Sequence, residues 1–156
     1  MNQMALKKDF RFYSYLLIWL TVTVPIMFWP LSLFVGMTSA VAGSVEKIWL
    51  IAISALLLSA AVSDSVINGA RSSLQMLGDA LWVMISVAVI AGVFRESAGV
   101  YLLGVMFFLH SLRSASGLWS HHSGWWLWPA WLRDTGMALA IFFWLALWPG
   151  SLSGIH

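Results

Sequence analysis

Charged residues are so sparse in this chain that they only punctuate long apolar runs. Lys, Arg, Asp and Glu together make up 9% of the 156 residues, and hydrophobic residues make up 61%. A soluble domain carries about a quarter charged residues to cover its surface. This chain can satisfy its surface only in lipid, so we expect an all-α, polytopic integral membrane protein. A β-barrel is disfavoured because the apolar runs are continuous rather than alternating.

Five segments approach the length of about 20 apolar residues that a helix needs to cross the hydrocarbon core. They predict a bundle of about five transmembrane helices in a single domain, 1–156, with spans at about 13–35, 48–67, 74–94, 97–118 and 130–148. A Trp-rich connector, residues 119–131, is expected to lie at the membrane interface. Residues 36–43 are small and unpatterned, which is compatible with either a loop or a re-entrant segment.

Local signals support several of these limits. Ser72-Ser73-Leu74-Gln75 is a capping box for the third helix, and Pro129 suits the first turn of the fifth. Pro25 and Pro30 should kink the first helix or end it early, because each removes a backbone donor. The very short connection at 95–97 predicts that the third and fourth helices form an antiparallel hairpin.

The basic residues predict the orientation of the bundle. The first apolar run is longer than the core of a secretory signal, so we interpret it as a retained span. With the N-terminus in the cytoplasm and the C-terminus outside, Lys47 and Arg95 lie outside, and six basic residues lie inside: Lys7, Lys8, Arg11, Arg71, Arg113 and Arg133. This asymmetry is typical of the positive-inside rule. We expect the protein in the inner (plasma) membrane of a bacterium.

Ionisable residues within or beside the spans form the candidate site, because such residues are costly in lipid. His110, Arg113, Ser114, Gly117 and His121 recur at helical spacing and form one polar stripe on the fourth helix. The predicted topology brings this stripe to the same membrane half as several Asp and Arg side chains. The predicted buried polar cluster consists of Asp64, Asp79, His110, Arg113, Arg133 and Asp134.

This cluster has three interpretations. Asp–Arg pairs could lock the bundle together, and Arg113 could pair with Asp64, Asp79 or Asp134. The same groups could form a proton or ion relay, or a substrate vestibule. They could also simply reach towards the interface, as long charged side chains do.

Tryptophan is concentrated between the fourth and fifth predicted spans, at Trp119, Trp125, Trp126, Trp128 and Trp131. Its ring prefers the headgroup region, where the apolar body is buried and the N–H stays hydrated. An interfacial belt is the simpler interpretation. A docking patch for a partner, or an aromatic ligand cage, is the alternative.

Several functional classes are disfavoured. The chain has no cysteine, so it has no thiolate metal site or thiol nucleophile, and its net charge of +2 is too small for a nucleic-acid surface. His-Glu-x-x-His and Gly-x-Ser-x-Gly motifs are absent from the sequence. His110 is the one histidine clearly within a predicted span, so a bis-histidine haem site is not expected. We predict no cofactor, no metal site and no enzymatic activity.

Two functions remain. The first is an integral membrane subunit that acts by assembly, with itself or with other membrane subunits, because membrane faces and short loops are its main surfaces. Small-residue pairs such as Ala88/Gly92, which let helices approach closely in lipid, favour this interpretation. The alternative is a small transporter or channel with a polar path lined by Asp64, Asp79, His110 and Arg113.

Overall fold

The computed structural model describes residues 3–34, 39–67, 72–95, 99–119 and 124–147. Every regular element in these ranges is a helix, which confirms the all-α class. The helices are α1 (Gln3–Phe28), a short 3-10 helix (Trp29–Phe34), α2 (Ser39–Ile67), α3 (Ser73–Val93), α4 (Gly99–Trp119) and α5 (Leu127–Leu147).

Four helical segments of the described chain are long and apolar enough to cross a membrane: Phe10–Leu31, Lys47–Ile67, Ser73–Val93 and Leu127–Leu147. The fourth predicted span, 97–118, corresponds to α4, which has 21 residues but is not among these four segments. The reason lies in its second half, where His110, Arg113 and three serines lower the mean hydropathy.

The prolines of the first span act as expected. Pro25 lies within α1, and α1 ends two residues before Pro30, well short of the predicted end at residue 35. Because Pro30 has no N–H, the carbonyl of Ile26 loses its helical partner. Trp49 Nε1 donates to that carbonyl at 2.8 Å, and Trp144 Nε1 donates to the next one, Met27 O, also at 2.8 Å. Indoles from α2 and α5 thus stabilise the end of α1.

The second helix is longer than the span it contains. The apolar segment Lys47–Ile67 agrees with the predicted span 48–67, but α2 begins at Ser39, so residues 39–43 are helical rather than a loop. Residues 36–38 lie outside the described ranges.

The Trp-rich connector is shorter than the predicted 119–131. Trp119 is the last residue of α4, and α5 already begins at Leu127 rather than 130. The turn before α5 is held by Leu127 N–H, which donates to Gly124 O at 3.1 Å, and Pro129 lies in the first turn as expected. The predicted capping box at the start of α3 is also present, with Ser72 N–H donating to Gln75 Oε1 at 3.3 Å.

The helices pack unequally. The closest pair is α4 and α5, where Gly104 presents no side chain to the Phe142 ring and Ser111 Oγ lies 2.6 Å from Thr135 Oγ1. The core between α2, α4 and α5 is closed by large buried side chains, among them Leu57, Phe107 and Ile141. By contrast, α3 lies at the edge of the bundle, and only 11% of its spanning window is buried, against 44% for α2 and α5.

Candidate functional site

A buried arginine of the described chain is shared by two aspartates. Arg133 Nε and Nη2 donate to the carboxylate of its neighbour Asp134 at 2.7 and 2.9 Å. The same guanidinium donates to Asp64 on α2, with Nη2 at 2.9 Å from Oδ2. All three side chains are buried. We call Asp64, Arg133 and Asp134 the charged cluster.

Aromatic residues of α1 complete the cluster. Tyr15 Oη donates to Asp64 Oδ1 at 3.2 Å, and the Arg133 guanidinium carbon lies 4.4 Å from the centre of the Trp19 ring. Trp125, from the turn before α5, packs edge-on against Tyr15 at 5.7 Å between ring centres. Cation–π contact and hydrogen bonding therefore both stabilise the guanidinium away from water. Tyr15 and Trp19 were not among the predicted site residues, and Trp125 was predicted only as a member of the tryptophan belt.

His110 lies beside the charged cluster on α4. One of its ring nitrogens and carboxylate oxygens of Asp64 and Asp134 all lie within 4.8 Å of one another. Its Nε2 accepts a hydrogen bond from Trp82 Nε1 at 2.7 Å and lies 3.4 Å from Ser86 Oγ. Trp82 and Ser86 are both on α3, so this histidine joins α3 to the cluster held by α2 and α5.

A second ion pair lies nearer the surface. Arg113 on α4 forms a salt bridge with Asp79 on α3, and its side chain is 32% exposed, whereas that of Arg133 is fully buried. We call Asp79 and Arg113 the outer pair. The Arg113 guanidinium carbon lies 5.3 Å from the centre of the Trp82 ring. Trp82 therefore contacts the outer pair with its face and His110 with its N–H.

Helix direction explains why these groups meet. Asp64 lies in the last turn of α2, and Asp79 and Arg133-Asp134 lie in the second turns of α3 and α5. His110 and Arg113 lie in the second half of α4. The contacts between these residues show that α2 and α4 end where α3 and α5 begin, and we call this the charged end of the bundle. All six residues of the predicted cluster lie there.

The predicted tryptophan belt divides into two sets. Trp119 and Trp128 are exposed, and Trp131 is partly exposed and packs edge-on against Trp128 at 5.6 Å. Trp126 is buried and Trp125 is partly buried, and both pack into a small core with Leu127 and Ala130. Trp119 and Trp128 are therefore the members of the belt most available to lipid or to a partner.

The charged cluster can hold a proton more readily than a metal ion. Asp64, His110 and Asp134 each offer a ligand atom at a spacing that could suit a metal. However, the Arg133 guanidinium already binds both carboxylates, and a dication there would face a positive charge at close range. A proton, by contrast, can bind to a carboxylate oxygen without displacing the guanidinium. Comparisons of the chain with protein-family models, curated proteins and solved structures found no match.

Proposed function

We propose that this chain is a small proton-coupled membrane transporter, and that the charged cluster binds and releases the proton. The observation that carries the proposal is charge balance: the single guanidinium of Arg133 serves the two carboxylates of Asp64 and Asp134. These side chains are buried on helices apolar enough to span a membrane. Ionisable groups in such positions typically mark proton relays or substrate paths.

The surplus carboxylate separates this proposal from a purely structural ion pair. A pair that only locked helices together would need one carboxylate for one guanidinium. The second carboxylate leaves an uncompensated negative charge in the interior, at a cost of roughly several kcal/mol. A proton held within this pair of carboxylates removes that charge. We therefore expect these groups to share one exchangeable proton.

Trp82 determines which nitrogen of His110 carries the proton. An indole N–H can only donate, so His110 Nε2 accepts the bond from Trp82 Nε1. The neutral ring then carries its proton on Nδ1. Protonation of Nε2 must displace the indole, which also packs against Arg113. Because Nε2 already accepts this bond, the exchangeable proton is assigned to the carboxylates rather than to His110.

The proposal includes a membrane and an orientation for the chain. In this picture the chain crosses the inner membrane of a bacterium five times, with α4 as the span that carries the polar stripe and its polar half covered by α3 and α5. The basic residues support a cytoplasmic N-terminus and a cytoplasmic charged end. The proton would then exchange with the cytoplasm.

Neutralising one carboxylate tests the proposal. Asp134→Asn and Asp64→Asn should each abolish proton uptake into proteoliposomes under an imposed pH gradient, because the remaining carboxylate is balanced by Arg133. Infrared difference spectra should also lose the pH-dependent carboxylic acid band. Asp79→Asn is the matched control and should retain both signals, since Asp79 pairs with Arg113 instead. Uptake that persists in both cluster variants would contradict the proposal.

A second function, assembly with another membrane subunit or with itself, is favoured by α3. Its outward face carries Leu74, Leu77, Leu81 and Met84 at alternating spacings of three and four residues, and all four are more than half exposed. This spacing continues to Ala88 and is the pattern of a helix–helix seam. The exposed Trp119 and Trp128 would enlarge such a docking face.

Mass measurement in mild detergent tests the assembly function. Leu81→Ala combined with Met84→Ala should shift an oligomer or a co-purifying complex towards the single chain, because both side chains lie on the α3 seam. Phe108→Ala combined with Leu112→Ala is the control, since these residues form an equally exposed face of α4. Equal shifts for both pairs, or no shift for either, would speak against assembly through α3.

A further inference from the structure

Two hydroxyl groups in the middle of the bundle differ from the rest. Six serine and threonine side chains of the described helices bond a carbonyl of the preceding turn: Thr21, Ser59, Ser63, Ser65, Ser86 and Ser116. Ser54 Oγ and Thr23 Oγ1 make no hydrogen bond to any described residue. Their residues are only 5% and 4% exposed. Buried polar atoms are almost always satisfied, by protein or by ordered water.

The two hydroxyls lie at one depth. The Tyr15–Asp64 and Ile26–Trp49 contacts set the antiparallel register of α1 and α2, and this register brings Thr23 to the level of Ser54. Ser54 precedes the last residue of α2 by 13 positions. This corresponds to about 20 Å along the helix, which is near the middle of the bundle.

Ser86 joins this level to the charged end. It follows the first residue of α3 by 13 positions, so it lies at the depth of Ser54 on the adjacent antiparallel helix. Ser86 is fully buried, and its Oγ lies 3.4 Å from His110 Nε2. Polar groups therefore continue from the partly exposed Arg113 through Trp82 and His110 to the hydroxyl level.

Beyond the hydroxyl level, the core becomes apolar. Trp49 and Trp144 are buried there, and their N–H groups donate to the carbonyls at the end of α1. Ile53 and Leu50 are buried beside them. Among the described side chains of this part of the core, no polar group is left to continue the path.

We propose that the bundle binds water in a half-channel, which opens at the charged end and stops at Thr23, Ser54 and Ser86. Water at the hydroxyl level supplies the partners that Ser54 and Thr23 lack, and it gives the charged cluster contact with one side of the membrane. The role of this water in proton exchange rests on the proposed function. The water site itself rests only on the hydroxyl groups and their burial.

Single cysteines can test this directly, because the chain has none of its own. Ser54→Cys, Ser86→Cys and Thr23→Cys place a thiol at the end of the half-channel with little change in volume. The matched controls are Ala55→Cys, Val87→Cys and Val22→Cys, which lie at the same depth on exposed, lipid-facing positions. Silver ion is the probe, since it is small, charged and reacts with thiolate. The readout is protection from maleimide labelling after denaturation.

We expect silver to protect the three channel cysteines at least about tenfold faster than their controls, because a thiolate forms in water and not in lipid. Protection should be faster when silver is added to vesicles from the charged end. Equal rates within each pair, or equally fast protection from both sides, would overturn the half-channel. Thermal melting of each variant shows that it is folded. A silver-accessible Ser86→Cys together with proton uptake that survives in Asp64→Asn and Asp134→Asn would refute the transporter and leave the water site intact.

Discussion

Replacing Arg133 with alanine is expected to prevent the protein from folding stably. The guanidinium is fully buried and is the shared partner of two buried carboxylates. Removing one partner of a buried pair costs about 3–5 kcal/mol, because the other charge is left uncompensated. Here the guanidinium also donates several hydrogen bonds to the two carboxylates, so the loss should lie at the upper end of this range. Thermal stability in detergent, followed by size-exclusion chromatography, measures it.

Three further variants show whether the effect comes from charge. Arg113→Ala should cost less, because that side chain is 32% exposed and water can solvate Asp79 in its place. Arg133→Lys should recover stability only partly, since lysine lacks the planar fork that spans two carboxylates. Arg133→Met combined with Asp64→Asn and Asp134→Asn should recover most of it. An Arg133→Ala protein as stable as the wild type would show that the cluster contributes nothing to the fold.

Replacing Asp134 should affect stability much less than replacing Arg133. Asp134→Asn leaves Arg133 with a single carboxylate, Asp64, so the charges balance. We therefore expect little loss of stability from a substitution that should abolish proton uptake. If both carboxylates were charged and both were needed to hold Arg133 in place, Asp134→Asn would instead weaken two hydrogen bonds to the guanidinium and destabilise the protein.

The position of the cluster was predictable because few polar residues interrupt the apolar runs. Asp64, Asp79 and the Arg133-Asp134 pair all lie near helix ends that alternate in direction, so a hairpin topology had to bring them together. The helical spacing of His110 and Arg113 gave the face of α4 that meets them. The early end of α1 was also predictable, because a proline removes a backbone donor.

The choice of partners was not predictable. Arg113 could reach three aspartates, and only the rotation and tilt of α3 and α4 select Asp79. Tyr15, Trp19 and Trp82 were missed because an aromatic residue within a span resembles any other lipid-facing aromatic residue. The sequence also did not predict which tryptophans of the belt are buried, because the burial of Trp126 depends on where α5 begins.

Gly99→Ala should destabilise the hairpin of α3 and α4. A Cβ at Gly99 would lie 2.4 Å from Val93 Cα and 2.5 Å from Val93 O, which are backbone atoms and cannot rotate away. The last residue of α3 and the first of α4 would have to separate, and overpacking of this kind costs about 1–3 kcal/mol. Gly99→Val should cost more, and thermal melting in detergent measures both changes.

Gly78 and Gly92 supply controls of opposite sign on the same hairpin. Each lies within α3 with nothing within 4 Å of an added Cβ. Alanine there should raise stability by about 0.5–1 kcal/mol, because glycine inside a helix loses more conformational freedom on folding. The melting temperature of Gly99→Ala should therefore be below that of the wild type, whereas those of Gly78→Ala and Gly92→Ala should be above it. A rise for all three would mean that α3 and α4 do not meet through a bare backbone contact at Gly99.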